Sequence, residues 1–365
     1  MIGSEHRKPS IFVYTGEGAS HSWLWLADSM ERLGVLDMRF GDFRNEDSSI
    51  ADVMVISGGD VGRMSRAIGD EGFLSLLRSV KEGGTYVGLC AGAYLPLRSS
   101  HSPSRAFHVI DAPISNIASP EGLGSFPRRY VFRCGEREVF QPVRGPVRLS
   151  IPNGNIVAPM FGGPCWHDLP SEITLAKYAQ LEEGTERIGS QNLVDRAISG
   201  KTAALSVALG KGKLLLFGPH AEHPDYPLAN AWMLGLLPHG EGQGFGRELA
   251  LVEPPLAAKR ALSNARVALS GLQGREWTIG AKVWEAEKAG LFIDAMWKRL
   301  PLLERSDAGV PGEVTAQLGH ALDAMRAVRT DPSNEIEANA MFVSLSGATS
   351  AFLNHYFGIL RHRSG

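Results

Sequence analysis

The chain has 365 residues, 44% hydrophobic content and a formal net charge of -2 from 37 basic and 39 acidic side chains. Such a length can bury a sizeable core and suggests two domains more readily than one. The near-balanced charge gives no field to gather nucleic acid or an anionic membrane, so neither partner class is expected.

The opening residues, MIGSEHRKPS, lead into a strand-like run without the long apolar segment of an export signal. From residue 11 to 89, short β-branched runs alternate with helical patterns, the signature of a parallel sheet with crossover helices. IFVYTG (11–16) reads as a strand, 22–34 as a helix closed by Gly34, 51–59 as a buried strand ending in two glycines, 71–82 as a helix and TYVGLC (85–90) as a third strand. The stretch 99–199 is rich in Pro, Gly and Arg and reads as shorter strands and loops. KLLLFG (213–218) returns as a final strand before PHAEHPDYP, and a helix follows over 229–237.

Beyond HGEGQGFG (239–246), Pro254 and Pro255 introduce a region that reads as purely helical. Leu318, Leu322 and Met325, then Phe342, Leu345, Phe352, Tyr356 and Leu360, recur at helical spacing, as in about four helices packed as a bundle. The uncharged run 341–360 is interrupted by Ser344, Ser346, Thr349, Ser350, Asn354 and His355, so it is read as a bundle helix rather than a membrane span. The division expected is 9–245 and 250–365.

The three cysteines, Cys90, Cys134 and Cys165, are too few and too scattered for a disulfide framework, which fits a reducing, cytoplasmic setting. Cys90 differs from the other two in its surroundings. In GTYVGLCAGAY (84–94) a buried strand meets a helix at small-x-Cys-x-small, with Gly88 and Gly92 two residues to either side. That is the pattern of a nucleophile elbow, whose strained turn admits only small neighbours. The helix that follows places backbone amides near the sulfur and favours thiolate. Ser57-Gly58-Gly59-Asp60 after the second strand offers open backbone N–H groups for an oxyanion, the Ala91 amide offers another, and His220 with Glu222 follows the last strand as base and orienting acid.

GLCAGAY together with GKGKLLLFGPHAEHP resembles the class I glutamine amidotransferases, which carry a nucleophile elbow and a late His-x-Glu in this order. More narrowly, IFVYTGEGAS, ISGGD, GGTYVGLCAGAYL, FGGPCW (161–166) and GKLLLFGPHAEH look like the amino-terminal domain of biotin-protein ligases and related stand-alone proteins, over residues 9–240. The resemblance implies a doubly wound, mostly parallel, flavodoxin-like α/β fold followed by an all-α region. It implies Cys90 as nucleophile, His220 as base, Glu222 as its partner and Gly59 with Ala91 as oxyanion donors. Gly16, Gly18, Ser20, Gly58, Gly162 and Gly163 would lie by the substrate. No biotinyl-adenylate loop or ligase domain follows, so biotin ligase activity is not implied.

The function expected is a cysteine-dependent amidohydrolase or amidotransferase acting on a small carboxamide through an acyl-thioester, without cofactor or metal. The alternatives are a non-catalytic small-ligand module of the same fold and a cysteine peptidase of related fold. The carboxy-terminal helices are open to a partner protein or to self-association. Cys134 is expected to fill space, Cys165 and His167 to pack a loop rather than bind metal, His101 and His108 to sit at the surface, and Trp277, Trp284 and Trp297 to be core or interface residues.

Overall fold

The computed structural model describes residues 8–43, 51–98, 105–240, 245, 251–306 and 308–364; His101 and part of the 239–246 linker lie outside them. The opening elements are β1 (Ile11–Tyr14), α1 (Ser22–Arg32), β2 (Met38–Gly41), β3 (Val53–Ile56), α2 (Val61–Glu82), β4 (Thr85–Leu89) and the short α3 (Ala91–Tyr94). β2 was not expected from its sequence, MRFG, and α2 starts ten residues earlier than its apolar pattern suggested, with a kink at Gly69 (φ 65°, ψ 177°). Asp60 starts α2 by accepting a hydrogen bond from the Arg63 N–H at 3.0 Å.

The middle of the chain supplies β5 (Ile117–Ala118), α4 (Pro120–Leu123), β6 (Val131–Cys134), β7 (Arg137–Phe140), β8 (Val143–Ile151), β9 (Gly154–Met160), β10 (Thr174–Leu181), β11 (Glu186–Arg187) and α5 (Gln191–Ile198). β12 (Thr202–Leu209), β13 (Gly212–Phe217) and α6 (Pro227–Leu236) follow. The main sheet runs β11-β8-β10-β12-β13-β4-β3-β1-β2, with β9 pairing β8, while β5, β7 and β6 form a separate sheet.

A mostly parallel sheet was expected; the structure has a mixed one. β2, β1, β3, β4 and β13 are parallel, whereas β12, β10, β8, β9 and β11 extend the sheet antiparallel. The cause is local. β12 and β13 are joined by a two-residue turn with Gly210 at φ 64°, and so short a link permits only antiparallel pairing.

In the parallel half every strand is buried on both faces, and successive side chains feed two cores. Ile11, Val13, Val53, Val55, Val87, Leu89, Leu215 and Phe217 point to one cluster, which includes α1 and α6. Phe12, Tyr14, Met54, Ile56, Tyr86, Leu214 and Leu216 point to the other, which α2 covers with Met64, Ile68, Phe73, Leu76 and Val80.

The carboxy-terminal region comprises β14 (Val252–Glu253), α7 (Pro255–Ser270), β15 (Glu276–Ile279), β16 (Lys282–Glu285), α8 (Ala286–Trp297), α9 (Leu300–Ser306), β17 (Val310–Pro311), α10 (Gly312–Thr330) and α11 (Glu335–Ser364). It is helical, but the expectation that it lacks strands is corrected twice: β14 pairs β17, and β15 pairs β16. The second pair turns through Gly280 and Ala281, with Gly280 at φ 65°. Trp277 and Trp284 are buried there against Phe342 of α11, with ring centroids 6.3 and 4.6 Å away. No helix of the described residues is long and apolar enough to cross a membrane.

This region shares the first core: Trp23 of α1 meets Phe292 of α8 at 5.9 Å, and Phe40 of β2 meets Phe357 of α11 at 5.7 Å. At the open edge of β2, Asn354 donates to the Phe40 carbonyl at 2.9 Å and accepts from the Phe40 N–H at 2.8 Å, occupying both backbone groups that Phe40 would offer a further strand. Arg299, 4% exposed, donates to Glu31 at 2.9 Å and to Asp28 at 2.8 Å, and Tyr356 donates to the other Glu31 oxygen at 2.6 Å. Removing one member of such a buried group strands the rest. Arg299→Met is expected to lower unfolding free energy by about 3 kcal/mol in urea titration, at the low end for a broken buried pair because Asp28 and Glu31 keep some solvent.

Candidate functional site

The carboxyl ends of β3, β4 and β13 lie side by side, and the loops that leave them carry Ser57-Gly58-Gly59, Cys90 and His220-Ala221-Glu222. In open α/β sheets this edge is where ligands bind. Cys90 follows β4 directly and is the only described non-glycine residue at positive φ (52°, ψ -107°). Its N–H donates to the Phe217 carbonyl at 2.9 Å, tying the corner to the neighbouring strand.

The glycines expected around this corner have identifiable neighbours. A Cβ at Gly88 would come within 2.6 Å of the Gly92 carbonyl oxygen, and one at Gly92 would run into the Ile56 carbonyl. A helix dipole was expected to favour thiolate, but α3 is only four residues long. Charged side chains do more here.

His220 Nδ1 lies 2.7 Å from Glu222 Oε1, and the same imidazole hydrogen-bonds the Cys90 thiol. Glu222 is fully buried; Ser57 Oγ lies 2.9 Å from its Oε1, while Oε2 has no hydrogen-bond partner. The loop itself is pinned. The His220 N–H donates to the Pro159 carbonyl at the end of β9 at 2.8 Å, and Asn230 of α6 donates to the carbonyls of Ala221 (2.7 Å) and His223 (3.0 Å). Ser29 of α1 donates to the Glu222 carbonyl at 2.7 Å.

Burial opposes charge on both reacting groups, and in each case the partner charges outweigh it. Burial alone would push the Cys90 thiol up, yet His220, by charge and hydrogen bond, and Lys282, by charge, bring it below the usual thiol value. Burial alone would lower His220, yet Glu222 and Cys90 raise it to about 10. Both shifts favour the thiolate–imidazolium form of this buried pair. Cys165, which lacks any such cation, is pushed up to about 12 by burial, and burial also raises Cys134.

Two adjoining cavities meet at Cys90. One, about 510 Å³, is lined by Ser20, His21, Ser22, Trp25, Gly58, Arg144, Phe161, His220, Lys282 and Trp284 among others. The other, about 360 Å³, is lined by Gly59, Ala91, Tyr94, Phe132, Cys134, Phe161, Gly162 and again Lys282. Thus Cys90, His220, Gly58, Gly59, Ala91, Ser20 and Gly162 are brought together. Gly16 is not: it lines a larger cavity of about 790 Å³ between β2 and α11, whose described lining contains no cysteine. Gly18, at φ 86°, supports the Gly59 turn by accepting from the Asp60 N–H at 2.8 Å, and Gly163 packs against the Gly218 carbonyl.

Several residues of the site were not singled out by the sequence. Ser22 Oγ accepts from the Gly58 N–H at 2.8 Å and lies 2.8 Å from Ser57 Oγ, linking the oxyanion turn to the Glu222 side. Trp25 packs edge-on to both His21 and His220, with centroids 4.9 and 5.2 Å away. Burial holds His21 well below its ordinary value, so it is neutral. Among the described residues no group of three His, Cys, Asp or Glu could hold a metal ion.

No family model matches the sequence, and no curated protein matches it. Among solved structures, a putative GMP synthase protein from Thermoplasma acidophilum is 13% identical, covering 63% of this chain and 94% of that one with a TM-score of 0.36. A putative ThuA-like protein from Parabacteroides merdae is 13% identical, covering 68% and 95% with a TM-score of 0.37. An exo-β-1,4-mannosidase from an Opitutaceae bacterium is 11% identical with a TM-score of 0.33; the match covers 63% of this chain but spans only 36% of the mannosidase. Likenesses this slight assign no family.

A thiol brought below its ordinary value by an imidazolium alkylates in a distinctive way. Iodoacetamide is expected to modify Cys90 ahead of Cys134 and Cys165, with a rate whose rise with pH has its midpoint below that of an ordinary thiol. His220→Ala leaves burial opposed by Lys282 alone and is expected to lower the rate at pH 7 at least about tenfold, as read by mass spectrometry of labelled peptides.

Proposed function

We propose that the protein is a cysteine-dependent amidohydrolase or glutamine amidotransferase-like enzyme that cleaves a small carboxamide through an acyl-thioester. The observation that carries this reading is the unbroken chain from a strained Cys90 through His220 to a buried Glu222 at the carboxyl edge of a parallel sheet. The strand order β2-β1-β3-β4-β13, with the elbow after β4 and the His-x-Glu after β13, supports a class I glutamine amidotransferase-like fold for residues 9–245.

In this reading the Cys90 thiolate attacks the amide carbonyl carbon, and the negative charge that develops on oxygen is met by the amides of Gly59 and Ala91. Collapse of the adduct breaks the C–N bond, and the His220 imidazolium gives its proton to the departing amine. Neutral His220 then takes a proton from water as its oxygen attacks the thioester, which returns thiolate, imidazolium and a free acid. Glu222 fixes the imidazole by holding Nδ1, which leaves the other ring nitrogen for these transfers.

Cys90→Ala is expected to abolish ammonia release from a panel of small carboxamides that includes glutamine, measured by a coupled assay. Glu222→Gln keeps the shape but removes the charge that raises His220, and is expected to lower kcat/KM by about 10²- to 10⁴-fold, with the acid limb of the pH profile moved. Undiminished turnover in Cys90→Ala would rule out the mechanism, whereas a thiol that is reactive in a protein without turnover on any amide would favour a ligand-binding module.

A further inference from the structure

The described residues of 250–365 supply no member of the Cys-His-Glu chain, yet one side chain from them faces the thiol. Lys282 is the first residue of β16, immediately after the Gly280-Ala281 turn. The turn is anchored to the loop that carries the oxyanion donors: the Ala281 N–H donates to Asp60 Oδ2 at 2.7 Å, while Asp60 Oδ1 accepts from the Arg63 N–H at 3.0 Å. Gly280 is required twice, by its φ of 65° and because a Cβ there would press on the Asp60 carboxylate and the Arg63 side chain. One acidic side chain therefore starts α2 and positions the hairpin, so the lysine and the Gly58-Gly59 turn share a support.

Lys282 lines both cavities that meet at Cys90. The carboxylates around it are otherwise engaged. Glu285 pairs with Lys288, Glu287 accepts from the Gly274 N–H at 2.9 Å, and Asp60 is held as just described. Among the described residues Lys282 makes no hydrogen bond and no close ion pair; burial disfavours its charge, and the strongest compensation is the Cys90 sulfur, ahead of Asp60 and Glu285. On the same cavity wall Arg144 lies over the Phe161 ring, 5.7 Å from its centroid. An ammonium in a cavity without a dedicated carboxylate is unfavourable unless an anion arrives to complete it. Cys90 supplies one negative charge before reaction, but thioester formation removes it.

Taking the cysteine-enzyme reading as its premise, we propose that Lys282 is the anchor for a carboxylate on the substrate, so that the compound turned over is an anionic carboxamide rather than a neutral one. The β15–β16 hairpin is the device that carries this anchor from the helical region to the thiol. Arg144 widens the positive wall without replacing the lysine.

Paired alkylating agents separate this idea from its premise. Iodoacetamide and iodoacetate attack the same thiolate, so the ratio of their rates at Cys90 cancels the thiolate fraction and reports how the cavity receives a carboxylate. In the intact protein the iodoacetate-to-iodoacetamide ratio at Cys90 is expected to exceed that of glutathione. Lys282→Gln is expected to reduce the ratio at least about fivefold, and Lys282→Arg to keep it within about twofold of the original protein. A lysine that only supports the hairpin would change both rates together; an unchanged ratio in a Lys282→Gln protein that melts like the original overturns the proposal while leaving the enzyme reading intact. If neither reagent modifies Cys90 faster than it does Cys134, the premise itself fails and the anchor fails with it.

Discussion

A charge can persist in a buried site only when an opposite charge is buried with it, and the pair at Cys90 and His220 is the constraint that the site is built to meet. Each group alone would be driven neutral by desolvation. Together, with Glu222 behind the imidazole, they offset one another's desolvation, bringing the thiol down and the imidazole up, and Lys282 adds to the lowering of the thiol from the far side. Glu222 Oε2 is buried without a hydrogen-bond partner, so Oε1, met by His220 and Ser57, carries that carboxyl group's hydrogen bonds. The fixed hydrogen bonds to the Glu222 and Ala221 carbonyls follow from the same need, since a loop free to move would let the pair separate and neutralise.

The sheet meets that constraint geometrically. Parallel strands bring three loops to one edge at the spacing of adjacent strands, and the antiparallel extension through β12 closes the far side of β13 so that the His220 loop is backed by β9. The strain at Cys90 is sustained because the corner is held by the Phe217 carbonyl on one side and by glycine contacts with Ile56 on the other.

The parts legible in the sequence were those whose signal is short in range. Gly88-Leu-Cys90-Ala-Gly92 and His220-Ala-Glu222 carry their geometry within five residues, and the burial of β1, β3 and β4 on both faces follows from continuous apolar runs. Ser22, Asn230 and the side-chain role of Ser57 were not legible, because a serine or asparagine side chain becomes part of a site only through what folding places beside it. The β15–β16 hairpin is a different case. Trp277 and Ile279 alternate at strand spacing and Trp284 returns to the same face after the Gly280 turn, but helical periodicity on both sides absorbed them. Gly16 is the converse case: a glycine just after a strand end of the same sheet lines a different cavity, beside β2 and α11.

The side-chain amide of Asn354 stands in for a missing strand along β2, and its partner lies 314 residues earlier in the chain. During synthesis, β2 therefore leaves the ribosome with its outer rim unpaired and keeps it so until nearly all of the helices have been made. A nascent chain in that interval presents a ready template for another copy, so polypeptides arrested after the sheet but before α11 should recruit one another or a chaperone. α11 thus acts as a late cover for the sheet edge as well as a packing element.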